Sequence, residues 1–135
     1  MAIFAWNESY SVRVQPMDEQ HQKLFEIINT LAEAMRAGKG DDMVRDTVEQ
    51  LAVYTRTHFL QEEALMRRTG YPGLAGHQQQ HRKLMEDVEQ YKVAMEQGRA
   101  ASPVSLLNFV RQWLVHHIRE SDRAYTDHLN AHGVQ

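Results

Sequence analysis

Four long stretches without proline, divided by short runs rich in glycine, constrain this chain more than any other feature. The breaks are Gly38 with Gly40, then Gly70-Tyr71-Pro72-Gly73, then Gly98 to Pro103. Between them Glu, Gln, Lys, Arg, Leu, Met and Ala dominate, and these are strong helix formers. Each stretch carries a stripe at three-four spacing, as in Leu24, Phe25, Ile28, Leu31, Met35 or Leu107, Val110, Leu114, which is the pattern of a helix facing a bundle interior. The spacing predicts helices near 18–37, 41–69, 74–97 and 103–131. Asp18 and Ser102 are expected as N-caps, and Gly133 as the end of the last helix. Short connections make neighbouring helices antiparallel. The expected fold is all-α: an up-down-up-down antiparallel four-helix bundle over residues 17–132. An extended N-terminal arm, 1–16, is expected to pack Trp6, Tyr10, Val12 and Val14 over one side. At 135 residues and 42% apolar, the chain is read as a single domain, 1–135.

Charge and composition exclude several function classes. A net charge of −3 is no footprint for nucleic acid, which demands a basic surface. No cysteine is present, so there is neither a disulfide nor a thiolate metal site. No stretch approaches 18 apolar residues, so no membrane span is expected. The first residues, MAIFAWNESYSV, lack a basic segment followed by a long apolar run, so no secretory signal is read there. The expected location is cytoplasmic.

The stripes also carry side chains that do not belong in a hydrocarbon core. His21 opens the first, His58 and Glu62 close the second, His77 and His81 open the third, and His117 with Asp122 closes the fourth. In an up-down bundle those four segments share one end, so all seven arrive at a similar depth. His58/Glu62 and His77/His81 are each four apart, which places both members on one helix face. Asp122 is five beyond His117, a turn of about 140° on a regular helix. A π-bulge or a loosened turn is therefore expected between them, a feature common at functional sites. Burying seven polar groups together without solvent is costly, and bound metal removes that cost. His116 and Glu120, four apart, form a rival donor pair; the apolar stripe passes through His117 and favours the other. His128 and His132 are read as solvated, Glu63 as a surface charge, and Met35, Met66, Met85 and Met95 as core filler.

Seven donors are too many for one tetrahedral zinc. Two octahedral ions bridged by carboxylates would use them all and leave room for an exogenous ligand. Imidazole with carboxylate suits iron. Common di-iron bundles use four carboxylates with Glu-x-x-His pairs. A histidine-rich site should favour the lower oxidation state by comparison and stop dioxygen reduction at the peroxide level.

At WNESYSVRV (6–14), DEQHQKLF (18–25), HFLQEE (58–63), YPGLAGHQQQH (71–81) and WLVHHIRESDRAY (113–125) the chain resembles the hemerythrin family, and these segments span nearly its whole length. The resemblance implies that His77, His81 and His117 bind one iron and His21 and His58 the other. It implies that Glu62 and Asp122 bridge the two irons (Fe2+/Fe3+) with an oxo or hydroxo group, and it settles His117/Asp122 over His116/Glu120. It further implies reversible binding of dioxygen, for transport, storage or delivery, at the iron with only two histidines. By position, Leu24, Phe59, Trp113, Leu114 and Ile118 would line the oxygen pocket; ordinary core packing would use them equally. The competing functions are oxygen or redox sensing through a partner protein, a di-iron peroxidase or oxidase, metal storage and nitric oxide binding. The apolar lining argues against an enzyme. The partners expected are dioxygen and an oxygen-consuming recipient protein, with no nucleic acid and no membrane.

Overall fold

The structure is a computed structural model that describes residues 4–38, 41–98 and 103–135. Helix α1 runs Gln15–Arg36, α2 Asp41–Arg68, α3 Leu74–Glu96 and α4 Pro103–His116. A six-residue π turn, His117–Asp122, follows α4, and a short helix α5, Thr126–Ala131, closes the chain. α1 packs on α2 and α4, and α3 packs on α2 and α4, the neighbour pattern of a four-helix bundle. The inward stripes meet in one core in which Leu24, Ile28, Leu31, Leu51, Met66, Leu84 and Leu106 are almost wholly buried. Met35, Met85 and Met95 pack partly buried against it, as gap-filling methionines do.

Two expected boundaries are corrected. α1 starts at Gln15, with Val14 at its cap and Pro16 in its first turn. Proline suits that place, since the first helical N–H groups have no partner inside the helix. Asp18 is therefore no cap. Its carboxylate accepts from the Val12 backbone N–H (2.8 Å) and the Ser11 hydroxyl (2.6 Å), tying the arm to the helix. The expected single helix over 103–131 is interrupted by the π turn and by Tyr125. Ser102 lies outside the described residues. Gly133 behaves as expected: at φ +81° it takes a left-handed conformation, and Val134 N–H bonds back to Leu129 C=O (2.9 Å).

The arm packs as the sequence suggested, with a short 3₁₀ turn at Glu8–Tyr10 inside it. Phe4 stacks on Phe25 (3.6 Å between centroids) and Tyr10 meets the same ring edge-on at 5.0 Å. Val12 and Val14 are fully buried, Trp6 partly. From the other side Arg123 donates to Ser9 C=O (2.6 Å), Thr126 to Val12 C=O (2.7 Å), and Arg119 lies over the Tyr10 ring. The arm thus clamps the segment on either side of Asp122.

Candidate metal centre

The bundle brings the seven predicted donors to one end. α1 contributes His21 from its second turn. α2 contributes His58 and Glu62, and α3 contributes His77 and His81. The π turn contributes His117 and Asp122. None is more than 4% exposed. The π turn does what the five-residue spacing demanded, since bonding five residues apart stacks Asp122 near His117. His117 Nε2 lies 3.0 Å from Asp122 Oδ1. The rival pair is on the outside: His116 and Glu120 are 74% and 64% exposed and contact each other at 2.6 Å.

The donors form two clusters. One joins His77, His81 and His117 to Glu62 and Asp122; the other joins His21 and His58 to the same two carboxylates, and within each cluster the donor atoms lie within 4.8 Å of one another. The carboxylates divide their oxygens. Glu62 Oε1 faces His77 (3.0 Å) and His81 (3.1 Å), while Oε2 faces His58 (3.5 Å) and His21 (3.6 Å). Asp122 Oδ1 faces His77 (2.8 Å), and Oδ2 faces His21 (3.1 Å). Residues 12–129 match the family model described as the hemerythrin HHE cation binding domain.

The chain belongs to the hemerythrin family.

It is 31% identical over 132 residues to a bacteriohemerythrin of Stenotrophomonas maltophilia (strain R551-3), covering 98% of this chain and 85% of that one. It is 28% identical over 127 residues to myohemerythrin-1 of Phascolopsis gouldii, covering 93% and 94%. The crystal structure of a wild-type hemerythrin superposes with a TM-score of 0.86 at 29% identity, over 95% of this chain and 98% of that chain. Hemerythrin-family proteins bind oxygen, and the likeness extends over the whole bundle.

The donor set fits the metal pair that a hemerythrin domain implies. His81 Nε2 is 3.0 Å from His117 Nε2, which is 3.2 Å from His77 Nε2. An imidazole nitrogen offers one proton or one lone pair, so three such atoms facing one another cannot all be satisfied by hydrogen bonds. Adjacent ligands of an octahedral ion with bonds of about 2.1 Å are about 3.0 Å apart, against about 3.4 Å in a tetrahedron. Both observed spacings fall within the range that ligands of a single ion span. Both Asp122 oxygens and both ring nitrogens of His21 are buried without a hydrogen bond, as unpaired ligand atoms would be.

Without metal the hemerythrin core is a buried charge cluster. Burial lowers the pKa of His21 and His77, but the Asp122 and Glu62 carboxylates outweigh it and raise each to about 9. Burial dominates at His58, which falls to about 4 despite Glu62. Burial would raise Glu62, yet the imidazoles of His58, His21, His77 and His81 that face it hold it well below the usual range. Burial and Glu62 push Asp122 up, and His117 and His21 more than reverse this. The carboxylates stay ionised, as bridging ligands must.

Three further side chains reach the site and were not foreseen. Glu63, expected as a surface charge, has a side chain only 14% exposed and accepts from His81 Nδ1 at 2.7 Å. Gln20 accepts from His58 Nδ1 at 2.6 Å. Tyr125 is fully buried and donates to Glu62 Oε2 at 2.8 Å; burial, then the nearby carboxylates, push its hydroxyl pKa well up. The signal was available: histidine ligands hold their second ring nitrogen with an acceptor, and Gln20 and Glu63 each adjoin a donor in the chain. His128 is also corrected. It is half-buried, its Nε2 donating to Thr69 C=O at 2.8 Å, whereas His132 is exposed. Of the predicted pocket residues, Phe59 stacks on His81 (3.6 Å, 2°) and Trp113 on His117 (4.2 Å, 16°). Leu24, Leu114 and Ile118 are buried in the same core cluster.

Proposed function

We propose that this chain, as one domain of residues 1–135, holds two iron ions and binds dioxygen reversibly for transport, storage or delivery. His77, His81 and His117 hold one ion, His21 and His58 the other. Glu62 and Asp122, which give one oxygen to each cluster, would hold both ions together, with an oxo or hydroxo group as the remaining shared ligand. The observation that carries this reading is the unequal division of histidines around two shared carboxylates. The three-histidine position is richer in protein donors by one, so the two-histidine position keeps a place for an exogenous ligand. A ferrous pair held there would supply the reversible dioxygen-binding chemistry.

The chain's own residues supply geometry and dryness. Phe59 and Trp113 cover the imidazoles, and Leu24, Leu114 and Ile118 complete an apolar lining that excludes water. Among the described residues no helix is long and apolar enough to cross a membrane. A cytoplasmic location and delivery to an oxygen-consuming protein accord with this reading.

Iron content and visible spectra test it. Two irons per chain are expected, with a visible band that forms on aeration of the reduced protein and fades under argon. Zinc in place of iron, or irreversible oxidation on first aeration, would overturn carriage. His117→Ala is expected to lose one iron or fail to assemble the pair, whereas His116→Ala, on the exposed face, leaves iron content and spectrum unchanged. The reverse result would place the donors on the wrong face of α4.

A further inference from the structure

Both histidine clusters are gripped from outside, and the two grips differ in charge. On the two-histidine side, His58 Nδ1 meets Gln20 Oε1, which can only accept, so Nδ1 carries the proton and Nε2 offers its lone pair inward. The Gln20 amide nitrogen donates to Gln61, which fixes the amide's orientation. On the three-histidine side, His81 Nδ1 donates to Glu63 Oε2, and Gln78 Nε2 donates to Glu63 Oε1 at 3.2 Å. The two relays have one design: an outer glutamine, an acceptor and an imidazole. The acceptor changes from a neutral amide to a carboxylate, and the outer glutamine changes with it: Gln61 accepts from Gln20, whereas Gln78 donates to Glu63. The contrast is widened by His21, whose Nδ1 has no hydrogen-bond partner at all.

A carboxylate on the outer nitrogen makes an imidazole a stronger donor to metal, because it stabilises positive charge spread onto the ring. An amide contributes only a dipole. With 14% of its side chain exposed and Phe59 stacked over His81, the Glu63 charge is weakly screened toward the ring. Glu62 and Asp122 each give one oxygen to either cluster, and the Tyr125 hydrogen bond falls on Glu62 Oε2, the oxygen facing His58 and His21, which adds to the same inequality.

We infer that the unlike pair Glu63–His81 and Gln20–His58 makes the two metal positions electronically unequal, with Glu63 favouring the higher oxidation state at the His77/His81/His117 position and Gln20 leaving the His21/His58 position electron-poor. This rests on the di-iron reading above. Glu63 and Gln20 are positioning residues that act through the imidazoles they hold.

The test exchanges the acceptors in the iron-loaded protein. Glu63→Gln, which keeps an acceptor but removes the charge, is expected to shift the ferrous/ferric equilibrium about tenfold toward ferrous, 59 mV for one electron. Gln20→Glu should shift it about tenfold the other way. Midpoints are read by spectroelectrochemistry, and Mössbauer spectra of the one-electron-oxidised protein report which iron is ferric. The double exchange should reverse which position oxidises first. Nitrogen NMR of the metal-free variants should show Nδ1–H retained on His81 and His58, so a purely structural role predicts no redox shift. Single variants that each hold two irons but move the potential less than twofold, or in the same direction, would overturn this inference alone. Should Glu63→Gln not fold, Gln20→Glu carries the same claim from the other cluster. A parent chain without two irons would overturn the di-iron reading and this inference with it.

Discussion

Glu62→Ala is expected to empty both metal positions at once. Glu62 gives one oxygen to each cluster, at 3.0–3.1 Å from His77 and His81 and at 3.5–3.6 Å from His58 and His21. No other described carboxylate reaches both clusters except Asp122. Without Glu62 the bridge is a single carboxylate, and His21 and His77 lose an anion that faces them in a fully buried setting. Removing one partner of a buried charged group costs about 3–5 kcal/mol, mainly through the charge left behind. Tyr125 also loses its acceptor, at about 1–3 kcal/mol. Iron content should fall from two per chain to none after gel filtration, and chemical denaturation of the metal-free variant should show a loss of several kcal/mol. Glu62→Gln keeps the volume and one acceptor, and should recover stability more than iron. An alanine variant retaining two irons would show that Asp122 and the histidines suffice to hold the pair.

The metal-free protein should lose stability steeply as pH rises from 6.5 to 9. His21 and His77 stand at about 9 in the fold against about 6.5 when unfolded. A raised folded value means the stabilisation is complete below pH 6.5 and is lost as pH climbs through 9. Each shift corresponds to about 3 kcal/mol taken alone, and the total is less than twice that because both histidines share the same carboxylates. His58 works in the opposite sense. Held neutral by burial, at about 4, it destabilises the fold as pH falls from 6.5 toward 4. The depressed values of Glu62 and Asp122 add to the acid loss, since their contribution disappears as they protonate. The metal-free chain should therefore be most stable near pH 6 to 6.5, with its melting temperature falling by roughly 10 °C toward pH 9. Iron takes the nitrogens that would hold those protons, so the loaded protein should lack the alkaline slope and release protons on metal uptake. A flat melting curve for the metal-free protein across this range would show that His21 and His77 are neutral in the fold.

Much of the site was legible because helix geometry is local. His58/Glu62 and His77/His81 announce a shared face by their spacing. His117/Asp122 announces a distortion because five residues do not fit a regular turn, and the π turn spans those two positions. The bundle's direction reversals then place all four segments at one end. The apolar stripe separated His117 from His116, and in the structure His117 is buried while His116 is exposed. Misreadings fell where local pattern and tertiary contact disagree. The first helix was expected near residue 18 but starts at Gln15, with Pro16 in its first turn. Asp18 looked like a cap but holds the arm. Glu63 looked like a surface charge because a carboxylate off the apolar stripe usually is one.

The chain's residue order alone determined the helices, the face each presents and the seven donors on those faces, since these depend on a fixed rise and turn per residue. Only the packed structure decided which carboxylate oxygen meets which cluster, and that Glu63 grips His81 from 18 residues away. Those contacts join side chains on different helices, so they are set by how the helices approach and by side-chain rotamers, neither of which residue spacing encodes.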